Sequence, residues 1–250
     1  MKIIRYKIGN QTEYGILEGK RVQALDGDPY PQIKKSDRTH QLNDLTLICP
    51  CTPTKIVAIG LNYHSHAKEV NLPVPKEPIM FYKPSSAIIG PEENIIYPKG
   101  SRHLDYECEL GVVIKSQARQ VSREEAMKYV LGYTCVNDVS ARDWQKSDSQ
   151  WSRAKGTDTF APVGPCIETA LNPGNVLVET YLNGELKQRA STSDLVFGVP
   201  ELVSYISQFI TLLTGDVIAT GTPSGISSMQ RGDTVEIKIE NIGTLRNYVT

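Results

Sequence analysis

The densest run of chemically useful side chains is His103-Leu104-Asp105-Tyr106-Glu107-Cys108-Glu109-Leu110-Gly111-Val112-Val113-Ile114. Polar and apolar residues alternate and then give way to an apolar run, the pattern of a strand entering a protein interior. On such a strand residues 105, 107 and 109 share a face, with successive side chains about 6.6 Å apart. Two carboxylates at that spacing repel by roughly 2–3 kcal/mol at an effective dielectric of about 20. No Lys or Arg lies within residues 103–114 to neutralise them. The charge must be met by solvent, by a Lys or Arg from elsewhere in the chain, or by a hard divalent cation with oxygen ligands. Asp138 offers a third carboxylate, since it follows the apolar residues 133–136 and opens a polar, turn-like segment. Asn-Asp is also a common turn dipeptide, so Asp138 alone says little.

Histidine is scarce. Two of only four lie in Gly60-Leu61-Asn62-Tyr63-His64-Ser65-His66-Ala67-Lys68-Glu69. On a helical turn His66 and Glu69, at i and i+3, share a face, and a carboxylate there orients an imidazole as a general base. Two other readings stand beside it: a surface helix with an incidental salt-linked histidine, and a strand-borne metal pair formed by His64 and His66. Gly221-Thr222-Pro223-Ser224-Gly225 can offer backbone N–H groups and a hydroxyl to an anion, although the bare pattern is also simply a turn.

These groups sit in a chain of 250 residues, whose 27 Lys+Arg and 28 Asp+Glu give a formal net charge of −1. So even a balance argues against a broad nucleic-acid surface. No apolar run approaches membrane-spanning length, and the first residues lack the apolar centre of a signal peptide. Five cysteines without a Cys-x-x-Cys pair fit free thiols in a reducing cytoplasm, with Cys49-Pro-Cys51 read as a loop.

Residues 1–50 read as a small β module: residues 3–8 alternate, Gly9-Asn10 can turn, and residues 14–25 form a second hairpin around Glu18-Gly19. Asp, Pro, Ser and Asn then collect over residues 26–55 and mark a boundary before a second domain over 54–250. That remainder reads as mostly β with two helices. A capping box, Ser122-Arg123-Glu124-Glu125, predicts a helix running to Leu131 and stopped by Gly132. The second helix starts near Pro200, carries Leu202, Val203, Ile206, Phe209, Ile210 and Leu213 on one stripe, and ends at Gly215. Residues 176–190 form a hairpin about Asn183-Gly184, and residues 217–220 and 234–239 are further strands.

Several spaced motifs then fall in one order: Gly60-Leu61-Asn62-Tyr63 with His66 and Glu69; Phe81-Tyr82-Lys83-Pro84; Asp105-Tyr106-Glu107-Cys108-Glu109-Leu110; Asn137-Asp138-Val139-Ser140-Ala141-Arg142-Asp143 with Gln145; Lys155 with Asp158-Thr159-Phe160; Gly164-Pro165; and the segment from Gly215 to Gly225. On these residues the chain resembles the fumarylacetoacetate hydrolase family over roughly residues 54–250. The resemblance implies an α+β, predominantly β fold, a mixed β-sheet roll with few short helices, usually a homodimer, holding Mg²⁺ (or Mn²⁺ or Ca²⁺). It implies Glu107, Glu109 and Asp138 as metal ligands, and His66 and Glu69 as a base dyad on a segment that folds over bound ligand. Lys155, Gln145 and Thr222 match positions contacting substrate oxygens, with Lys155 balancing developing negative charge, and Arg142 matches a site-supporting arginine. Lys115 and Thr214 depart from the family pattern away from the expected site.

The implied activity is cleavage of a C–C bond in a small anionic 2-oxo acid such as an acylpyruvate, through an enolate that the cation stabilises. The same chemistry serves isomerisation or decarboxylation of hydroxy-dienedioates and decarboxylation of oxaloacetate. A catalytically silent protein that binds the cation and a 2-oxo acid is the non-enzyme alternative, which the presence of ligands, dyad and lysine together speaks against.

Overall fold

A computed structural model describes residues 1–30 and 32–250; Pro31 lies outside the described residues. The N-terminal segment folds as β1 (Lys2–Ile8), β2 (Gln11–Glu18), β3 (Arg21–Leu25), β4 (Lys35–Gln41) and β5 (Thr46–Ile48). Next come β6 (Lys55–Gly60), α1 (His64–Glu69), β7 (Ile79–Pro84), β8 (Ile88–Ile89), β9 (Asn94–Ile95), β10 (Leu104–Asp105) and β11 (Cys108–Ile114). The middle of the chain gives β12 (Val130–Asn137), β13 (Ser140–Ala141), α2 (Arg142–Ser147), α3 (Ser152–Gly156) and β14 (Ala161–Glu168). It closes with β15 (Leu177–Leu182), β16 (Glu185–Ser191), α4 (Val199–Phe209), β17 (Val217–Ala219), β18 (Ser228–Met229), β19 (Thr234–Ile239) and β20 (Gly243–Val249).

The main sheet runs β4-β3-β2-β1-β14-β12-β11-β17-β6-β7, with β5 added to β1 and β8 to β14. A second sheet orders β16-β15-β19-β20-β9, and a small third one joins β13, β10 and β18. This is the expected α+β, predominantly β architecture of mixed sheets with few short helices. The N-terminal strands continue the main sheet, because β1 pairs with β14 through Lys2↔Glu168 and Ile3↔Ile167. No helix of the described residues is long and apolar enough to cross a membrane.

Four central strands place their ends together. β6 and β17 run parallel, Ala58 opposite Ala219, so both finish at one end of the sheet. β11 is antiparallel to β17 and begins at that end, and β12, antiparallel to β11, terminates there. β11 is buried along its whole length, which explains its uninterrupted apolar run.

Three expectations need correcting. Residues 126–131 do not make an α-helix: a 3-10 turn, Ala126–Tyr129, leads directly into β12. Pairing of β12 with β11 and β14 outweighs the local capping signal, although the Ser122 hydroxyl still accepts the Glu125 N–H at 3.4 Å. Gly132 is no helix stop; a Cβ there would lie 2.6 Å from the Glu168 carbonyl, so it lets β14 approach. The second helix ends at Phe209, before Gly215, because the chain turns extended at Ile210 and Leu212 bridges to Ala118. Phe209 and Leu213 of its stripe are consequently exposed, at 63% and 38%. Finally, the acidic strand is broken at Tyr106-Glu107, with β10 in the small sheet and β11 in the main one. The hairpin about Asn183-Gly184 forms as expected, both residues taking the positive φ a type I′ turn needs.

Asp216 ties the parallel pair together. Fully buried, it accepts from the Thr54 N–H at 2.9 Å, the Thr54 hydroxyl at 2.7 Å and the Leu213 N–H at 2.8 Å, and it pairs with the Lys55 ammonium. Replacing it with alanine strands these donors and should cost about 3–5 kcal/mol. Urea unfolding of Asp216→Ala checks this, and a loss under about 1 kcal/mol would contradict the assignment.

Candidate active site

Because β11 and β12 pair with Cys108 opposite Asn137, Glu107 and Glu109 at the start of one meet Asp138 just past the end of the other. Their ligand oxygens lie within 4.8 Å of one another, and all three residues are buried. The Asp138 N–H donates to the Glu107 carbonyl at 2.9 Å, fixing the two segments together.

The missing countercharge arrives from other segments. Arg142, first residue of α2, donates to Asp105 at 2.7 Å and pairs with Glu107, while its third nitrogen donates to the Gln145 side-chain Oε1 at 2.8 Å. Lys155 on α3 bridges Glu107 Oε2 and Asp138 Oδ2, each at 2.7 Å. Lys83 on β7 pairs with the other Asp138 oxygen and donates to the Val139 carbonyl at 3.2 Å. Burial alone acts to raise the Glu107 carboxyl, but Arg142 and Lys155 outweigh it and hold the group well below the usual carboxylate range. Burial likewise acts to lower Lys155, and the charges of Asp138 and Glu107 reverse it.

Glu109 is the exception. Its contact is the Gly221 N–H at 2.8 Å, with no lysine or arginine among its partners in the described residues. Burial, and then the charges of Asp138 and Glu107, push its pKa well above the ordinary carboxylate value. Of the four carboxylates here, Asp105, Glu107 and Asp138 each contact Arg142, Lys155 or Lys83, while Glu109 contacts no cation among the described residues, a deficit of one partner. A buried set of three carboxylates with that deficit fits a hard divalent cation such as Mg²⁺, Mn²⁺ or Ca²⁺.

The histidine dyad faces the same place. The segment 64–69 is helical, which removes the strand-borne His64/His66 pair, and His66 Nδ1 sits 2.8 Å from Glu69 Oε2. The other Glu69 oxygen accepts the Gly225 N–H at 2.8 Å, and Asp194 accepts the Ser65 N–H at 3.0 Å, so α1 is pinned at two points. Glycine is required at 225, where φ is +100° and a Cβ would fall 2.3 Å from the Lys187 carbonyl. His66, Glu107, Glu109, Arg142, Gln145, Lys155 and Thr222 all line one cavity of about 630 Å³. Phe81 and Trp151, packed edge to face at 5.4 Å, contribute an apolar wall with Ile59, Ile79 and Ile226. Glu69 and Asp138 stand behind this lining.

Two contributors carry no role in the sequence reading. Lys83 stood in the Phe81-Tyr82-Lys83-Pro84 motif without an assigned role, on the same strand as the cavity-lining Phe81. Gln188 had no signal: its amide donates to Thr222 Oγ1 and the Pro223 carbonyl at 2.9 Å each, and its oxygen accepts the Cys108 N–H at 3.0 Å. All five cysteines are free and buried, and none joins a metal-type cluster in the described residues.

Residues 55–250 match the fumarylacetoacetate (FAA) hydrolase C-terminal family, and residues 1–50 match the Rv2993c-like N-terminal family. The chain is 43% identical over 220 residues to the mitochondrial oxaloacetate tautomerase FAHD2B of Bos taurus, covering 83% of this chain and 70% of that protein. The structure of a 5-carboxymethyl-2-hydroxymuconate delta-isomerase from Mycobacterium smegmatis superposes with a TM-score of 0.95 at 39% identity, over 100% of this chain and 99% of that one. A maleylpyruvate hydrolase from Sphingobium sp. SYK-6, in complex with manganese(II) and pyruvate, superposes with a TM-score of 0.82 at 28% identity over the same shares.

Glu109 gives the sharpest test of the cluster. A carboxyl whose folded pKa is raised contributes stability below its unfolded pKa and loses it as pH rises through the raised value. Without divalent cation, Glu109→Gln should therefore melt higher than the parent at neutral pH. The parent should gain about 2.7 kcal/mol from Mn²⁺ at a hundredfold excess over Kd, and the variant essentially none. Thermal melts with and without Mn²⁺ check both; an equal Mn²⁺ shift in the two proteins would exclude Glu109 as a ligand.

Proposed function

Since this chain belongs to the fumarylacetoacetate hydrolase family, we propose that it is a divalent-cation-dependent enzyme interconverting the enol and keto forms of a small 2-oxo acid. The observation that carries this reading is that His66, held by Glu69, lines the same cavity as Glu107 and Glu109 of the acidic triad. With Nδ1 engaged by Glu69, His66 has Nε2 to take a proton from C3 of the substrate. The C–H electron pair becomes the C2–C3 double bond, and the 2-oxo oxygen takes the negative charge. Glu69 stabilises the imidazolium, which delivers the proton to the enolate oxygen to complete the enol (the reverse steps give the ketone), or to a carbon further along a conjugated chain to give an isomer. Gln145, Arg142 and Thr222 hold the substrate carboxylate, and Lys155 balances the developing charge. A cation held by Glu107, Glu109 and Asp138 supplies Lewis-acid polarisation of the 2-oxo group.

Hydrolysis of a C–C bond in an acylpyruvate-type substrate is the second reading. It is favoured by the fit of a Glu69-held histidine to water activation, and by likeness to the maleylpyruvate hydrolase. Enol–keto transfer stands first because it needs only the base and the oxygen-stabilising groups, and because the 43% and 39% identical relatives are a tautomerase and an isomerase. The reading places catalysis in residues 54–250, with 1–50 as an added module, in a cytoplasmic homodimer. Support for the dimer is the open edge strand β7, which exposes Ile79 and Tyr82 at 41% and 48%.

The test is a panel of enol-oxaloacetate, a hydroxy-dienedioate and acylpyruvates, with Mg²⁺ or Mn²⁺ and with chelator. Cation-dependent enol–keto conversion is expected, and His66→Ala should slow it by about 10²–10⁴-fold while oxalate binding persists. Parental rates in His66→Ala would refute the dyad; faster release of pyruvate from acylpyruvates than any enol–keto conversion would establish the second reading instead.

A further inference from the structure

We propose that Lys83 is a positioning residue for the acidic triad, holding Asp138 in the orientation that presents its carboxylate beside Glu107 and Glu109. The inference rests on the triad being the cation site of the preceding section. Lys83 is completely buried, and its ammonium contacts are Asp138 Oδ1 and the Val139 carbonyl. An ammonium removed from water costs several kcal/mol, so a lysine at this position needs a specific partner to recover that loss. Its partner is a candidate ligand, and the arrangement around that ligand is two-sided. Lys83 grips one Asp138 oxygen from β7, and Lys155 grips the other from α3. With both oxygens held, the carboxylate cannot swing about its side-chain bonds. The bond to Val139 also fixes the backbone directly after Asp138, and Val139 itself donates to the Phe160 carbonyl at 3.1 Å.

The two lysines are mechanically linked. Pro84, the neighbour of Lys83, packs so closely on Gly156, the neighbour of Lys155, that a Cβ on Gly156 would lie 2.9 Å from the proline ring. Unlike Lys155, Lys83 does not line the cavity, so it touches no ligand there and acts only through Asp138. Partners that orient a ligating carboxylate typically matter by 10–100-fold in metal affinity. Charge alone works in the opposite direction, since removing a cation beside a cation site strengthens the field that attracts the metal. The sign of the change therefore separates positioning from simple electrostatics.

The test is calorimetric titration of Mn²⁺ alone into the chelator-stripped full chain, with folding checked by circular dichroism. Lys83→Met should bind Mn²⁺ at least tenfold more weakly, and Lys83→Arg, which restores a charged donor, should return to within about threefold of the parent. Lys83→Met binding as tightly as the parent or more so, or Lys83→Arg as weak as Lys83→Met, overturns the proposal. If Lys83→Met does not fold, the shorter neutral Lys83→Gln takes its place and should bind at least threefold more weakly; parental or tighter binding again overturns it. A parent that binds no Mn²⁺ is a distinct outcome, which removes the triad reading itself and this inference with it.

Discussion

Four carboxylates and three cations share one buried region at the end of the central strands, and much of the molecule is arranged to make that crowding tolerable. Removing any one partner from such a cluster leaves a charge without water or counter-ion, which is far more costly than never having buried it. Every carboxylate of the cluster except Glu109 is accordingly held by more than one group. Glu107 meets Arg142 and Lys155, Asp138 meets Lys155 and Lys83, and Asp105 meets Arg142 and His103. Glu109 alone lacks a cation partner among the described residues, and that deficit is the feature a divalent ion would complete.

The sheet explains why these segments converge. Parallel pairing of β6 with β17, and antiparallel pairing of β11 with both β17 and β12, brings four chain ends to one place. The loops leaving those ends carry His66, Thr222, Glu107 and Asp138. Asn62 staples two of them, donating to the Thr220 carbonyl at 2.7 Å and to the Phe197 carbonyl at 3.1 Å. Asp216 secures the far end of the same parallel pair. Rigid strands thus position the acids, while the dyad rides on a short helix held by two hydrogen bonds at its edges. That division suits a site whose charges must be fixed and whose base must admit a substrate.

Much of this was legible in the chain itself, and what was not has a common cause. Glu107 and Glu109 declared themselves by being two acids in an inward run without a nearby base, and His66 with Glu69 by i, i+3 spacing. The β1–β3 hairpins and the Asn183-Gly184 turn are local and were readable as such. Lys155 and Arg142 entered only through the family resemblance, and their pairing with the acids was not legible in the spacing, because Lys155, Arg142 and Lys83 lie at least 17, 35 and 55 residues from the acids they pair with. Spacing carries no information about partners that far apart. The helix expected over residues 126–131 failed for a related reason: Val130 pairs with Ile114 and Gly132 with Val113 of β11, and that ladder outweighs a capped helical turn. Spacing likewise could not show that Gly132 serves close strand packing rather than a helix end.

The central claim is that Glu107, Glu109 and Asp138 together hold one divalent cation at the floor of the cavity. Crystals of the protein grown with Mn²⁺, measured at the manganese absorption edge, test it directly. A single strong anomalous peak bonded to carboxylate oxygens of all three residues, within about 2.0–2.6 Å of each, is the expected result. A cavity without such a peak at saturating Mn²⁺, or a peak bonded to other residues, would contradict the account.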